Sequence, residues 1–114
     1  MGNSIFVFAE QREGKLKKVA FEAVSLARTL ADKLSAEVNV SVIGSNVSQE
    51  AEKLKDFGAD SIHIVEDPSL ENYSPELYRD ILVDQIKEKG SNIVLLGSTI
   101  AGLDLAPRIS AKLE

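Results

Sequence analysis

A chain of 114 residues, 44% hydrophobic and 27% charged, is long enough for one modest core and too short for two, and its composition is neither disordered nor fibrous. A net charge of −5, with Lys and Arg spread along the chain, argues against nucleic acid or an anionic membrane surface as partner. The absence of cysteine excludes disulfides, thiolate zinc sites and a cysteine nucleophile. The apolar runs fall far below the roughly 20 residues of a membrane helix, so no membrane insertion is expected, and with no signal-peptide pattern a cytoplasmic location is expected. Residues 1–114 are read as a single α/β domain. Because the chain stops inside a helical pattern at Lys112-Leu113-Glu114, it is expected to be an incomplete part of a longer subunit.

In chain order, Ile5-Phe6-Val7-Phe8 is a continuous apolar run, the pattern of a strand covered on both faces, and is placed at the sheet centre. Leu16, Val19, Ala20, Ala23, Val24, Ala27, Leu30, Ala31 and Leu34 recur at helical spacing and predict a long amphipathic helix whose alanines allow close packing. Val38, Val40 and Val42 alternate with Asn39 and Ser41, which predicts a half-covered strand nearer an edge. A second helix is expected from Ser48 as N-cap, through Ala51 and Leu54, to a stop at Gly58. Ile62 and Ile64 alternate with Ser61 and His63 as another strand nearer an edge. The third helix opens with Ser74 as N-cap and Pro75 at its first position, with Tyr73 and Tyr78 as a hydrophobic staple, and ends at Gly90. Ile93-Val94-Leu95-Leu96 is a second continuous apolar run, also placed centrally. A last helix carries Leu105, Ile109 and Leu113 as its buried stripe, with Asp104 as cap and Pro107 in its first turn.

Strand and helix thus alternate four times, which predicts a three-layer α/β fold: a predominantly parallel sheet with helices on both faces and right-handed crossovers. The expected strand order is 3-2-1-4, with room for further strands. It reverses between the first and fourth strands, and such switch points are where these folds bind ligands. The crevice should therefore be bracketed by Glu10 to Gly14 and by Gly97 to Gly102.

Gly97, Ser98 and Thr99 combine backbone N–H groups, two hydroxyls and a helix N-terminus, the ingredients of a phosphate cradle, although turn chemistry explains the same residues. Asp104 and Arg108 are spaced i, i+4 in the favourable order for an ion pair; the alternative is that Arg108 grips an anion bidentately. The crevice candidates are therefore Gly97, Ser98, Thr99 and Arg108, and no catalytic or metal-binding residue is assigned. The first turn, Ala9-Glu10-Gln11-Arg12-Glu13-Gly14, has neither G-x-G-x-x-G nor a Walker lysine, and Ile43-Gly44-Ser45-Asn46 has no ribose-binding acid. His63 is the sole histidine and is read as structural; Glu66 and Asp67, next to Pro68, are read as a solvated turn.

The string from Gly97 to Leu113, GSTIAGLDLAPRISAKL, resembles the electron transfer flavoprotein alpha subunit family in its N-terminal domain. The likeness extends to Ile5-Phe6-Val7-Phe8-Ala9-Glu10 with the lysine-rich turn and alanine-rich helix after it, and to Phe57-Gly58-Ala59-Asp60. The resemblance implies an adenine nucleotide alpha hydrolase-like fold and an electron carrier rather than a turnover enzyme. It also implies a beta subunit as partner, flavin dehydrogenases as donors and an acceptor oxidoreductase downstream. FAD is held in that family mainly by a C-terminal domain absent from this sequence, and AMP or a second flavin by the beta subunit. What remains is expected to be a scaffold and subunit-interaction domain, its own crevice empty. Leu103 departs from the family pattern, standing where a basic residue is common. The alternative is a stand-alone adenine-nucleotide-binding module using the crevice between the first and fourth strands. An enzyme related to ATP pyrophosphatases ranks last, since their Ser-Gly-Gly-x-Asp-Ser loop is absent.

Overall fold

The computed structural model describes residues 3–97 and 99–113. β1 (Asn3–Phe8) runs into a small hairpin of β2 (Gln11–Arg12) and β3 (Lys15–Leu16), turned by Glu13 and Gly14 at φ 55° and 83°. The periodicity of the sequence did not reveal this hairpin, which takes Leu16 out of the predicted helix. α1 (Lys18–Leu34) follows and buries Ala20, Val24, Ala27 and Ala31. Next come β4 (Ala36–Gly44), the short α2 (Ser48–Glu52) continued by a 3-10 turn over Lys53–Phe57, and β5 (Ser61–Glu66). α3 (Pro75–Lys89), β6 (Ile93–Leu95) and α4 (Ile100–Leu113) complete the order.

The four longer strands form one parallel sheet in the order β5-β4-β1-β6, the 3-2-1-4 order expected from the alternation. Ile5 lies opposite Val38 on one side and Ile93 on the other, and Val42 lies opposite Ile64. On one face α1 and α2 cover Ile5, Val7, Val38, Val40 and Val42. On the other, α3 and α4 cover Phe6, Phe8 and Ile43 with Tyr78, Leu82 and Leu105. β1 supplies side chains to both cores, as its continuous apolar run predicts.

Two strand placements are corrected. β4 is interior, and the polar half of its alternation, Asn39 and Ser41, is buried on the α3 side. Asn39 can be buried there because its amide donates to Ser4 Oγ at 2.8 Å and its carbonyl oxygen accepts from Ser61 Oγ, a ladder of small polar groups across three strands. β6, despite its unbroken run, has a strand neighbour on the β1 side alone among the described residues and is only partly covered. A continuous apolar run reports that both faces want cover; it does not report a neighbour at the hydrogen-bonding edge.

The start of α2 is also corrected. Ser48 does not cap it: the Glu66 carboxylate at the end of β5 accepts from the backbone N–H of Val47 and Ser48, at 2.8 and 3.1 Å, and from Ser48 Oγ at 2.6 Å. A full negative charge satisfies these free donors better than a hydroxyl does. Asp67 holds the next turn by accepting from Ser69 N and Ser69 Oγ. The third helix begins as expected at Pro75, and Tyr73 and Tyr78 meet edge to face at 5.2 Å, although the Ser74 side chain makes no capping bond.

These contacts set the acid stability. The Ser48 hydroxyl, then the backbone donors, hold Glu66 below its ordinary pKa, and the Ser69 hydroxyl does the same for Asp67. Burial pushes His63 below its ordinary value. In all three cases the unfolded chain binds more protons, so stability falls as pH falls. Tm should be level between about pH 7 and pH 9, decline gently at lower pH as His63 becomes protonatable in the unfolded state, and drop steeply below about pH 4.5. Glu66→Gln should flatten the acid limb in a pH series of thermal melts; an unchanged slope would remove Glu66 from this account.

Candidate functional site

β1 and β6 pair in parallel, and their carboxyl ends lead to the hairpin and toward the first turn of α4. Glu10 continues directly from β1, yet it is only 4% exposed. One of its carboxylate oxygens accepts from the Thr99 hydroxyl, and the other lies 3.4 Å from Lys17 Nζ. Thr99 Oγ1 in turn accepts from the Gly102 N–H at 3.0 Å, and the Leu103 N–H donates to Thr99 O at 2.8 Å. Thr99 therefore caps α4, which begins at Ile100. This corrects the expectation for Asp104 and Pro107, both of which lie inside the helix. Pro107 is tolerated there on an exposed face, where the Leu103 carbonyl it leaves without an N–H partner can be hydrated.

Two glycines make the approach close enough. A Cβ on Gly102 would fall 1.9 Å from the Gly97 carbonyl oxygen, so the first turn of α4 rests directly on the turn after β6. A Cβ on Gly97 would fall 2.8 Å from Val19 Cγ2 and 3.6 Å from Glu10 Oε1. Of the sequence candidates, Gly97 and Thr99 are thus placed against Glu10 at the start of α4, neither of them among the residues that line the crevice beside it, and Ser98 lies outside the described residues. Arg108 is elsewhere: its Nε sits 3.2 Å from both oxygens of Asp104, whose Oδ2 also accepts from Tyr73 OH at 2.5 Å. The Tyr73 hydroxyl holds Asp104 below its ordinary pKa, with Arg108 acting in the same direction, and burial next to Asp104 pushes Tyr73 up. This trio fastens α4 to the segment before α3. Sequence reasoning missed the inward turn of Glu10, whose one signal was an acid set directly at the end of an unbroken apolar strand.

The crevice encloses about 340 Å³ between the hairpin, the segment before α3 and α4. Tyr73 and Tyr78 form part of one wall, and its charged lining is Glu10, Glu13 and Glu71 against Arg12 alone. A wider depression of about 790 Å³ lies at the other end of the sheet. Its Arg28 is already engaged with Asp32 and Asp60, each at 3.0 Å, and parallel sheets bind ligands at the carboxyl ends of their strands.

Layering, parallel order and a switch-point crevice define the chain as a doubly wound α/β domain. A universal stress protein solved in complex with cAMP shares the fold, with a TM-score of 0.57 over 97% of this chain and 90% of that one, at 17% identity. The particular assignment comes from sequence: residues 5–114 match the family described as electron transfer flavoprotein domain, and the chain belongs to that family. It is 44% identical to the electron transfer flavoprotein subunit alpha of Thermoanaerobacterium thermosaccharolyticum, over 96% of this chain and 33% of that protein. The subunit alpha of Megasphaera elsdenii is 40% identical over 96% of this chain and 32% of its own length. The acryloyl-CoA reductase electron transfer subunit beta of Anaerotignum propionicum is 38% identical, with 96% and 30% covered. The chain spans about a third of the length of these curated relatives.

The family implies a flavin, and the crevice residues do not fit one. A phosphate or pyrophosphate entering it would face three carboxylates and one guanidinium, with the α4 N-terminus already capped by Thr99 and Glu10. No helix among the described residues is long and apolar enough to cross a membrane.

Proposed function

We propose that this chain is the N-terminal scaffold and subunit-interaction domain of an electron transfer flavoprotein alpha subunit, a non-catalytic part of an electron carrier. The observation that carries this reading is the family match over residues 5–114, essentially the whole chain. In this proposal residues 1–114 fold as one unit, the carrier works in the cytoplasm, and FAD is held by a part of the polypeptide beyond this sequence. The acid-lined crevice supports that division, since it is ill suited to a dinucleotide. The partner is a beta subunit, which binds AMP or a second flavin, and electrons pass from flavin dehydrogenases to an acceptor oxidoreductase.

The exposed face of α4 is the contact surface we assign to that partner. Ile100 is 91% and Leu103 66% exposed, the two most exposed large apolar side chains among the described residues, and they lie three apart at the start of one helix. Leu103 thus offers a partner apolar area. Co-expression with a cognate beta subunit should yield a stable complex. Ile100→Asp combined with Leu103→Asp should weaken it at least ~10-fold by titration while leaving Tm of the free chain nearly unchanged. Wild-type chain that does not associate, or that binds flavin by itself, would overturn the scaffold reading; a double variant that associates normally would move the contact to another face.

A further inference from the structure

We propose that the β2–β3 hairpin is a latched strap across the carboxyl ends of β1 and β4, which opens as one unit while the sheet beneath it stays folded. The inference stands independently of the subunit assignment.

The hairpin is a two-stranded sheet of its own, with Gln11 opposite Leu16 and Arg12 opposite Lys15. Its base is closed by the Lys17 N–H, which donates to Glu10 O at 3.0 Å. Its tip turns through Glu13 and Gly14, both at positive φ, as a two-residue hairpin loop requires, and a glutamate in the left-handed region is held there at a cost. From Gln11 to Leu16, only Leu16 is buried.

Two side chains fasten it, one to each strand. On β2, Gln11 donates from Nε2 to Ile43 O at 3.1 Å and accepts at Oε1 from the Gly14 N–H at 2.9 Å, so one side-chain amide ties the hairpin tip to the end of β4. Gly44 leaves room for it, since a Cβ there would fall 2.7 Å from Gln11 Nε2. On β3, the Leu16 N–H donates to Glu50 Oε1 at 3.2 Å, and Lys53 Nζ, 2.8 Å from Glu50 Oε2, steadies that carboxylate. A short ladder with one buried side chain and two polar fastenings belongs to the low-stability end of a structure, where segments open without global unfolding. The strap also divides the surface it crosses. The crevice of about 340 Å³ lies on one side, and a depression of about 330 Å³, reaching Ser45, Asn46 and Gln49, on the other. Glu13 and Glu71 line both, so the hairpin tip is the partition, and opening joins the two into one cleft.

Native-state amide exchange of the 114-residue chain, read residue by residue on NMR, tests this with Gln11→Ala and Glu50→Ala. In wild type the Gly14 and Leu16 amides should exchange faster than those of β4, at rates that low urea leaves unchanged, because local opening exposes little surface. Each variant should speed both amides roughly 5-fold, the effect of one lost hydrogen bond on a shared opening, with the β4 amides as the control for global stability. The Gly14 amide bonds to Gln11 and the Leu16 amide to Glu50, so the crossed effects, Glu50→Ala on Gly14 and Gln11→Ala on Leu16, report opening as one unit. Exchange of these amides only through global unfolding, or variants that each speed only the amide they bonded, overturns the proposal.

Discussion

Gly102→Ala is expected to destabilise the chain by about 3 kcal/mol, although alanine is the better helix former by about 1 kcal/mol. The added methyl would stand 1.9 Å from the Gly97 carbonyl oxygen, a backbone atom that cannot rotate away. Relief requires the first turn of α4 to lift off the turn after β6, which separates Thr99 from Glu10 and loosens the cap. Thermal melts should show Tm lowered by roughly 10 °C. Gly90→Ala is the informative comparison. A Cβ there meets nothing within 4 Å and only the positive φ of 62° opposes it, so a loss of about 1 kcal/mol is expected. A Gly102→Ala protein as stable as wild type would mean that α4 does not rest on Gly97.

Phe6→Ala should cost about 3 to 5 kcal/mol, the range for deleting a fully buried aromatic ring. Phe6 is 0% exposed on the interior strand β1 and belongs to the core that joins α3 and α4 to the sheet. Domains of this size have total stabilities of about 5 to 15 kcal/mol, so the variant should be marginal at 37 °C. Phe6→Leu, which retains most of the volume, should lose about 1 kcal/mol. Urea unfolding should show a lower midpoint for Phe6→Ala with little change in slope. A loss below 1 kcal/mol would show that α3 and α4 draw their hold on the sheet from elsewhere.

Both expectations concern the same junction, where one face of the sheet, α4 and the end of β1 meet. Much of it was legible in the sequence. The alternation of four strands with helices gave the parallel order, and the reversal of strand order between the first and fourth strands pointed to the end of the sheet where Glu10 meets the start of α4. The i, i+4 spacing of Asp104 and Arg108 gave their ion pair. Pro75 at the start of α3 and the pairing of Tyr73 with Tyr78 were also readable, because each is set by residues within one turn of each other.

What was misread depended on partners distant in the chain. Ser48 has the chemistry of an N-cap, but Glu66, 18 residues away, takes that role. Asp104 looks like a cap next to Pro107, yet α4 starts at Ile100 because Thr99 caps it with Glu10 behind it, 89 residues back in sequence. Asn39 and Ser41 looked like the solvent face of an edge strand, and pairing of Asn39 with Ser4 and Ser61 made an interior position affordable.

The sequence by itself determined the layers, the parallel sheet, the family and the location of the crevice, since periodicity and local turn chemistry are properties of neighbouring residues. Only the tertiary structure decided that β4 is interior, which side chain caps each helix and which charges line the crevice. Those outcomes depend on charges and hydrogen-bond donors meeting across tens of residues. No local pattern records that the carboxylate at the end of β1 turns inward to the first turn of α4.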